Sequence, residues 1–179
     1  MKAPRNAHLI PSDMHFCLRL PDETPIIVAF YALNEKQLLL ARVRHNRLID
    51  RFFNVIATSI QTAWRSVCKV EIDEIYVATS NSGKQYAVFV GVDSGVKPRN
   101  IVALRREFAV CKKAFPSLTA RAVAVQFMRD ASGDETIVMF ELVETDDGIA
   151  VIDQKHYRLV PASQIGSADL ELYRRNLPD

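Results

Sequence analysis

The chain has 179 residues, 49% of them apolar and 25% charged, with a formal net charge of +2 at pH 7. That length fits a single domain spanning residues 1–179. That apolar share is ample for a buried core, which excludes the disordered class, and the near-balanced charge supplies no global pull towards nucleic acid.

In chain order, residues 1–23 hold three of the eight prolines and little periodicity, and read as an irregular N-terminal arm. Thr24 to Tyr31 is a short apolar run, either an edge strand or the lead-in to a helix. Asn34 suits a helix N-cap. From Glu35 onward no Pro or Gly appears until Gly83. Leu38, Leu39, Val43 and Leu48, then Phe52, Val55, Ile56, Ile60 and Trp64, recur at helical spacing, which predicts one long helix or two joined helices over residues 35–66. The period then changes to two. Residues 70–79 and 85–92 read as strands joined by the turn chemistry of Ser80 to Lys84, a β-hairpin. A helix over 99–114 follows Pro98 and ends before Pro116. Arg121 to Met128 is a nearly continuous apolar strand, as expected for one buried on both faces. Residues 136–143 and 149–152 form a second hairpin, and a short helix closes the chain from Ser167 or Asp169 to near Asn176. The order predicts an α/β domain with a mixed sheet flanked by helices, without regular βαβ alternation.

Cys17, Cys68 and Cys111 are far apart and form no CxxC pair, so reduced thiols in a reducing compartment are expected. His8, His15, His45 and His156 have no metal-ligand spacing, so no zinc site is expected. No apolar run reaches the roughly 18 residues that a membrane span needs. The basic N-terminus is not followed by a signal-peptide core. The expected location is the cytoplasm.

The informative segment is Glu71-Ile72-Asp73-Glu74. Strand alternation puts Glu71, Asp73, Ile75 and Val77 on one face and Val70, Ile72, Glu74 and Tyr76 on the other. Carboxylates lead directly onto an apolar stripe, which is costly unless they are paired or hold a metal. With the turn centred near Asn81-Ser82, residue 73 falls opposite 90 or 91. On one register Glu71, Asp73 and Asp93 then converge, to be neutralised by a divalent ion or to stand in water at the strand ends.

The wording VEIDEIYVATSNSGKQYAVFVGVD, followed by a basic helix and RAVAVQFM, resembles the core of PD-(D/E)XK, restriction-endonuclease-like nucleases. More closely, it is similar to a group of uncharacterised bacterial endonuclease-like proteins, in which an EIDE strand is followed by one ending Gln-Ala-Lys-Gly-Gly. The likeness runs from about Asn34 to about Tyr173. It implies a restriction-endonuclease-like core and a Mg²⁺-dependent nuclease site in which Asp73 is the metal-binding acid and Glu71 its neighbour. Gly91 falls where the motif has its second acid or Gln, and Asp93 falls where it has the lysine. In such a site the acids hold the metal beside the scissile phosphate and the lysine helps activate water. Glycine offers no ligand and aspartate has the wrong sign, so the resemblance implies a degraded site, with Asp73 and Asp93 as remnant metal acids. Were the lysine to have migrated, Lys97 is the first candidate and Lys84 the second.

Basic residues add to this expectation. Arg44, Arg47 and Arg51 share one face if the first helix is continuous, with Arg42, His45 and Arg65 nearby, and Arg105 and Arg106 precede Lys112 and Lys113 by one heptad. Such stripes suit a DNA phosphate backbone, and equally a solvated helix face. Three readings follow: a DNA-binding domain with a degraded nuclease site, an active nuclease with a migrated lysine, and a non-catalytic interaction protein that forms homo-oligomers through the apolar second hairpin (ETIVMFELVE). None involves a membrane.

Overall fold

The computed structural model describes residues 17–65, 70–93, 101–129, 133–146 and 148–175. Their frame is a seven-stranded mixed sheet in the order β1 (Cys17–Pro21), β7 (Gly148–Val160), β6 (Glu135–Thr145), β5 (Thr119–Arg129), β4 (Gln85–Asp93), β3 (Glu71–Ser80), β2 (Val55–Arg65). The α/β class with a mixed sheet flanked by helices is as expected.

The chain enters through β1 (Cys17–Pro21), which pairs in parallel with β7 (Gly148–Val160). The end of the expected irregular arm is therefore a strand. Its partner lies at the far end of the sequence, so no local pattern announces it. The ambiguous run becomes a helix, α1 (Ile26–Tyr31), with no buried residue; Ile26 and Phe30 are 78% and 77% exposed.

The expected helix over 35–66 is three elements. In α2 (Glu35–His45) the Asn34 side chain caps the first turn by accepting from the Gln37 N–H at 2.9 Å. Arg47 then takes φ 50°, breaking the helix before α3 (Leu48–Phe53). Asn54, with φ 52°, ends α3. Asparagine tolerates this left-handed conformation better than most residues. Beyond it runs β2 (Val55–Arg65), a sheet-edge strand. The helical spacing of Val55, Ile56, Ile60 and Trp64 was coincidental. β-branched Val55, Ile56, Thr58, Ile60 and Thr62 favour the extended chain, and pairing with β3 (Glu71–Ser80) decides it.

The first hairpin is as expected. β3 and β4 (Gln85–Asp93) pair antiparallel from Thr79↔Gln85 to Glu74↔Val90, with Gly83 at φ 81° in the turn. Next come α4 (Ile101–Ala114) and β5 (Thr119–Arg129), which lies parallel to β4. Strand β6 (Glu135–Thr145) joins antiparallel between β5 and β7. A 3₁₀ turn (Ala162–Gln164) leads to α5 (Ser167–Arg175). The second hairpin exists, but Thr136 to Leu142 is buried throughout. That apolar run lies inside the sheet, while Val151 and Ile152 on the second strand of the hairpin are 43% and 58% exposed.

Two cores result. On one face Leu39 and Val43 of α2 and Leu48, Ile49 and Phe52 of α3 pack on Tyr76, Val88, Val90, Val123 and Val125. On the other, Leu104, Phe108 and Cys111, at i, i+4 and i+7 of α4, pack on Ile75, Ala87, Phe89, Ala122 and Ala124. The small alanines make room for the edge-to-face pair Phe89–Phe108, 4.9 Å between ring centres. Each large side chain buried here contributes about 1.5–3 kcal/mol. Among the described residues no helix is long and apolar enough to cross a membrane.

Candidate functional site

Strands β3 and β4 stop pairing after Glu74↔Val90, which places Asp73 opposite Gly91, within the expected register. From there the Asp73 side chain takes over from the backbone: its Oδ2 accepts the Val92 N–H at 2.7 Å. Its Oδ1 is in contact with the Lys36 ammonium from the first turn of α2. The Asp73 side chain is only 10% exposed, while Lys36 is 48% exposed. Alternation along β3 is disturbed here, for Ile72 and Ile75, three residues apart, enter the same core cluster.

A cleft of about 300 Å³ opens where the strands part, lined by Lys36, Glu71, Ile72, Asp73, Gly91, Val92 and Glu107. Lys36 comes from the helix on one face of the sheet and Glu107 from the helix on the other. The lining charges are three carboxylates and one ammonium. Glu71 also meets the Arg65 guanidinium at 3.4 Å, with both side chains largely in solvent.

One residue further, Glu74 is wholly buried. Its Oε1 accepts from Arg44 Nε at 2.8 Å and from the Ser59 hydroxyl at 2.5 Å. This hydrogen bond holds the Arg44 guanidinium above its ordinary value. Burial, and then the Glu74 charge, push the neighbouring Tyr76 hydroxyl up.

Of the expected site residues, the fold brings together Asp73 and Glu71. Asp93 pairs through its backbone with Gln126 of β5, and its side chain lies outside the described residues, as does the whole of Lys97. Lys84 sits in the hairpin turn, over the Tyr86 ring at 5.6 Å, at the other end of β3 from Asp73. The expected stripe of Arg44, Arg47 and Arg51 is broken, because Arg47 lies in the left-handed joint between α2 and α3. Arg44 is held by Glu74, Arg47 by Asp50 at 2.5 Å, and Arg51 donates to the Asn46 carbonyl at 3.3 Å. Arg105 reaches Glu144 at 3.7 Å and the Thr145 carbonyl at 3.2 Å. Arg106 is exposed on α4.

Two cleft residues escaped sequence reasoning. Lys36 lies two residues after the Asn34 cap, in the first turn of α2, and a cation there meets the positive end of the helix dipole. That unfavourable position was the available signal. For Glu107, which reads as an ordinary exposed helix acid, there was none.

Among the described residues, which leave out the Asp93 side chain, the donor set does not fit a bound divalent ion. Among the described residues no three carboxylate, histidine or cysteine side chains are grouped closely enough to hold a metal. Asp73 already has an oxygen on an ammonium and an oxygen on a backbone N–H, and Gly91 adds no ligand. No family model, curated protein or solved structure matches the chain.

Proposed function

We propose that the chain is a restriction-endonuclease-like domain that binds nucleic acid and no longer cleaves it by metal-assisted hydrolysis. The carrying observation is the position of Asp73, the acid that matches the nuclease motif. It lies in a cleft at the parting of β3 and β4, faces Gly91 where a second acid is needed, and is neutralised by Lys36. A scissile phosphate in this cleft would meet three carboxylates against one ammonium, and without a metal that balance repels it. Binding would fall instead to exposed guanidinium groups outside the cleft, Arg106 on α4 and the outward parts of Arg44 and Arg51.

The test has two arms on the full chain. Fluorescence anisotropy with duplex DNA, single-stranded DNA and RNA at two salt concentrations should show binding that weakens steeply with salt. Supercoiled plasmid with Mg²⁺ or Mn²⁺ should remain intact. Salt-insensitive or absent binding defeats the nucleic-acid half of the reading, and robust cleavage lost in Asp73→Ala defeats the other.

A specific observation also favours a second reading, an active nuclease with a relocated lysine. Among the described residues the lysine beside Asp73 is Lys36, while Lys84 sits at the other end of β3. This version requires plasmid cleavage by the parent that Lys36→Ala abolishes.

A further inference from the structure

We propose that α1 is the interface through which two copies of this chain form a two-fold dimer. The proposal does not rest on nucleic-acid binding, and it concerns an element that takes no part in lining the cleft.

Three observations carry it. The first is local. Residues 25–34 hold no charged side chain, and α1 within them is a helix of six residues that buries none of them. A helix that short is unstable in water by propensity alone and depends on the packing of its apolar face. Here α1 lies beside α2, and among the described residues its apolar face stays open.

The second is the size and shape of that face. Ile26 and Phe30 are four residues apart, as are Ile27 and Tyr31, so the four make one stripe along the helix. Leu33 extends it past the C-terminal end. These five side chains are between 59% and 85% exposed. An aromatic side chain offers about 150–250 Å², so at that exposure the five together present roughly 600 Å² of apolar surface. The largest apolar patch on an ordinary monomer is about 300–600 Å² and is often functional. A stable interface takes about 800 Å² from each partner, and lattice contacts mostly take less than about 400 Å². The stripe with its flanking backbone falls in the stable range. Its make-up, two aromatics and no charge, is that of an interface core.

The third decides the occupant. A head-to-tail contact between copies needs a second, complementary apolar patch on the same chain. Among the described residues the other exposed large apolar side chains are scattered over β2, α4, β7 and α5, at most two to an element. Only a second α1 matches α1 along its whole length, and a two-fold axis brings the two stripes together. Antiparallel pairing then sets the positive end of each helix dipole beside the negative end of the other. Because the stripe carries no charge, closing it desolvates no ion.

Sedimentation equilibrium of the full chain, from about 1 to 100 µM, tests it. Parent, Phe30→Asp, Leu33→Asp and Ile152→Asp proteins are compared, each checked for folding by circular dichroism. The parent should sediment at twice its 20.2 kDa chain mass. In Phe30→Asp the dimer should dissociate at least about hundredfold more readily, since the symmetry axis applies the change twice. Leu33→Asp, at the end of the stripe, should lose less, and Ile152→Asp on β7 should dimerise like the parent. A parent that stays monomeric across that range overturns the proposal, and so does a dimer that survives both α1 substitutions. Should one of those two variants fail to fold, the other carries the same criterion. A monomeric parent that floats with phosphatidylcholine vesicles, and stops doing so in Phe30→Asp, assigns α1 to a lipid surface and likewise overturns the dimer.

Discussion

Asp73 and Glu74 are consecutive carboxylates on one strand, each paired with a cation from the same helix, yet they have opposite characters. Glu74 is sealed: wholly buried, with Arg44 and Ser59 on one oxygen. Asp73 stands at the edge of a cleft, where β3 and β4 have parted and Lys36 reaches in from solvent. One residue of displacement along β3 separates a carboxylate that belongs to the core from one that faces a cavity. The ladder explains the difference: Glu74 is the last residue paired with β4, and Asp73 is the first without a pairing partner there. The sealed pair is structure. The open pair lines the cleft.

The comparison breaks most easily at its sealed end. Arg44→Ala leaves a buried carboxylate without its cation and should cost about 3 kcal/mol, below the full loss for a completely buried pair because Arg44 is itself 42% exposed. Urea unfolding measures this, and an unchanged midpoint would mean that Glu74 is not sealed by Arg44. At the open end, Lys36→Met should cost only about 1 kcal/mol, since its ammonium is half in water. Thermal unfolding of the two variants beside the parent separates them, and equal losses erase the distinction.

Glu135 sharpens the comparison through pH. It takes Arg42 at 2.5 Å and Arg129 at 2.8 Å. Burial pushes its carboxyl up, but the hydrogen bonds and charges of Arg42 and Arg129 outweigh that and hold it below its ordinary 4.5. Because the folded-state value is depressed, the stabilisation is fully present above about pH 4.5 and is lost as pH falls through the lowered folded value. Glu135→Gln should therefore unfold about 0.5–1 kcal/mol more easily than the parent at pH 7, the small effect of a part-exposed pair. That gap should close below pH 4.5. A gap that persists at pH 3 would contradict the assignment.

The sequence disclosed the elements whose cause is local. The Asn34 cap, the Ser80–Lys84 turn, the i, i+4, i+7 face of α4 and the apolar run of β5 each carry their own signal, and each was found where expected. It hid what depends on distant partners. Nothing in Cys17–Pro21 announces a strand, because the pairing that makes it one is with His156 to Val160. Val55 to Arg65 mimicked a helix because its apolar spacing fitted either period, and only β3 beside it and Asn54 before it decide. The acids of the site were legible, since Glu71 and Asp73 are odd companions for an apolar strand. Their cation was not, because Lys36 reaches Asp73 only once α2 has packed across the sheet. Looking for a relocated lysine at Lys97 and Lys84 overlooked that α2 delivers Lys36 to Asp73.

The central claim is that an ammonium rather than a metal neutralises Asp73. Anomalous diffraction at the manganese edge, from crystals of the parent grown in MnCl₂, tests it most directly. The account predicts Lys36 Nζ against the Asp73 carboxylate and no manganese peak in the cleft. A peak coordinated by Asp73, with Lys36 swung aside, would contradict it.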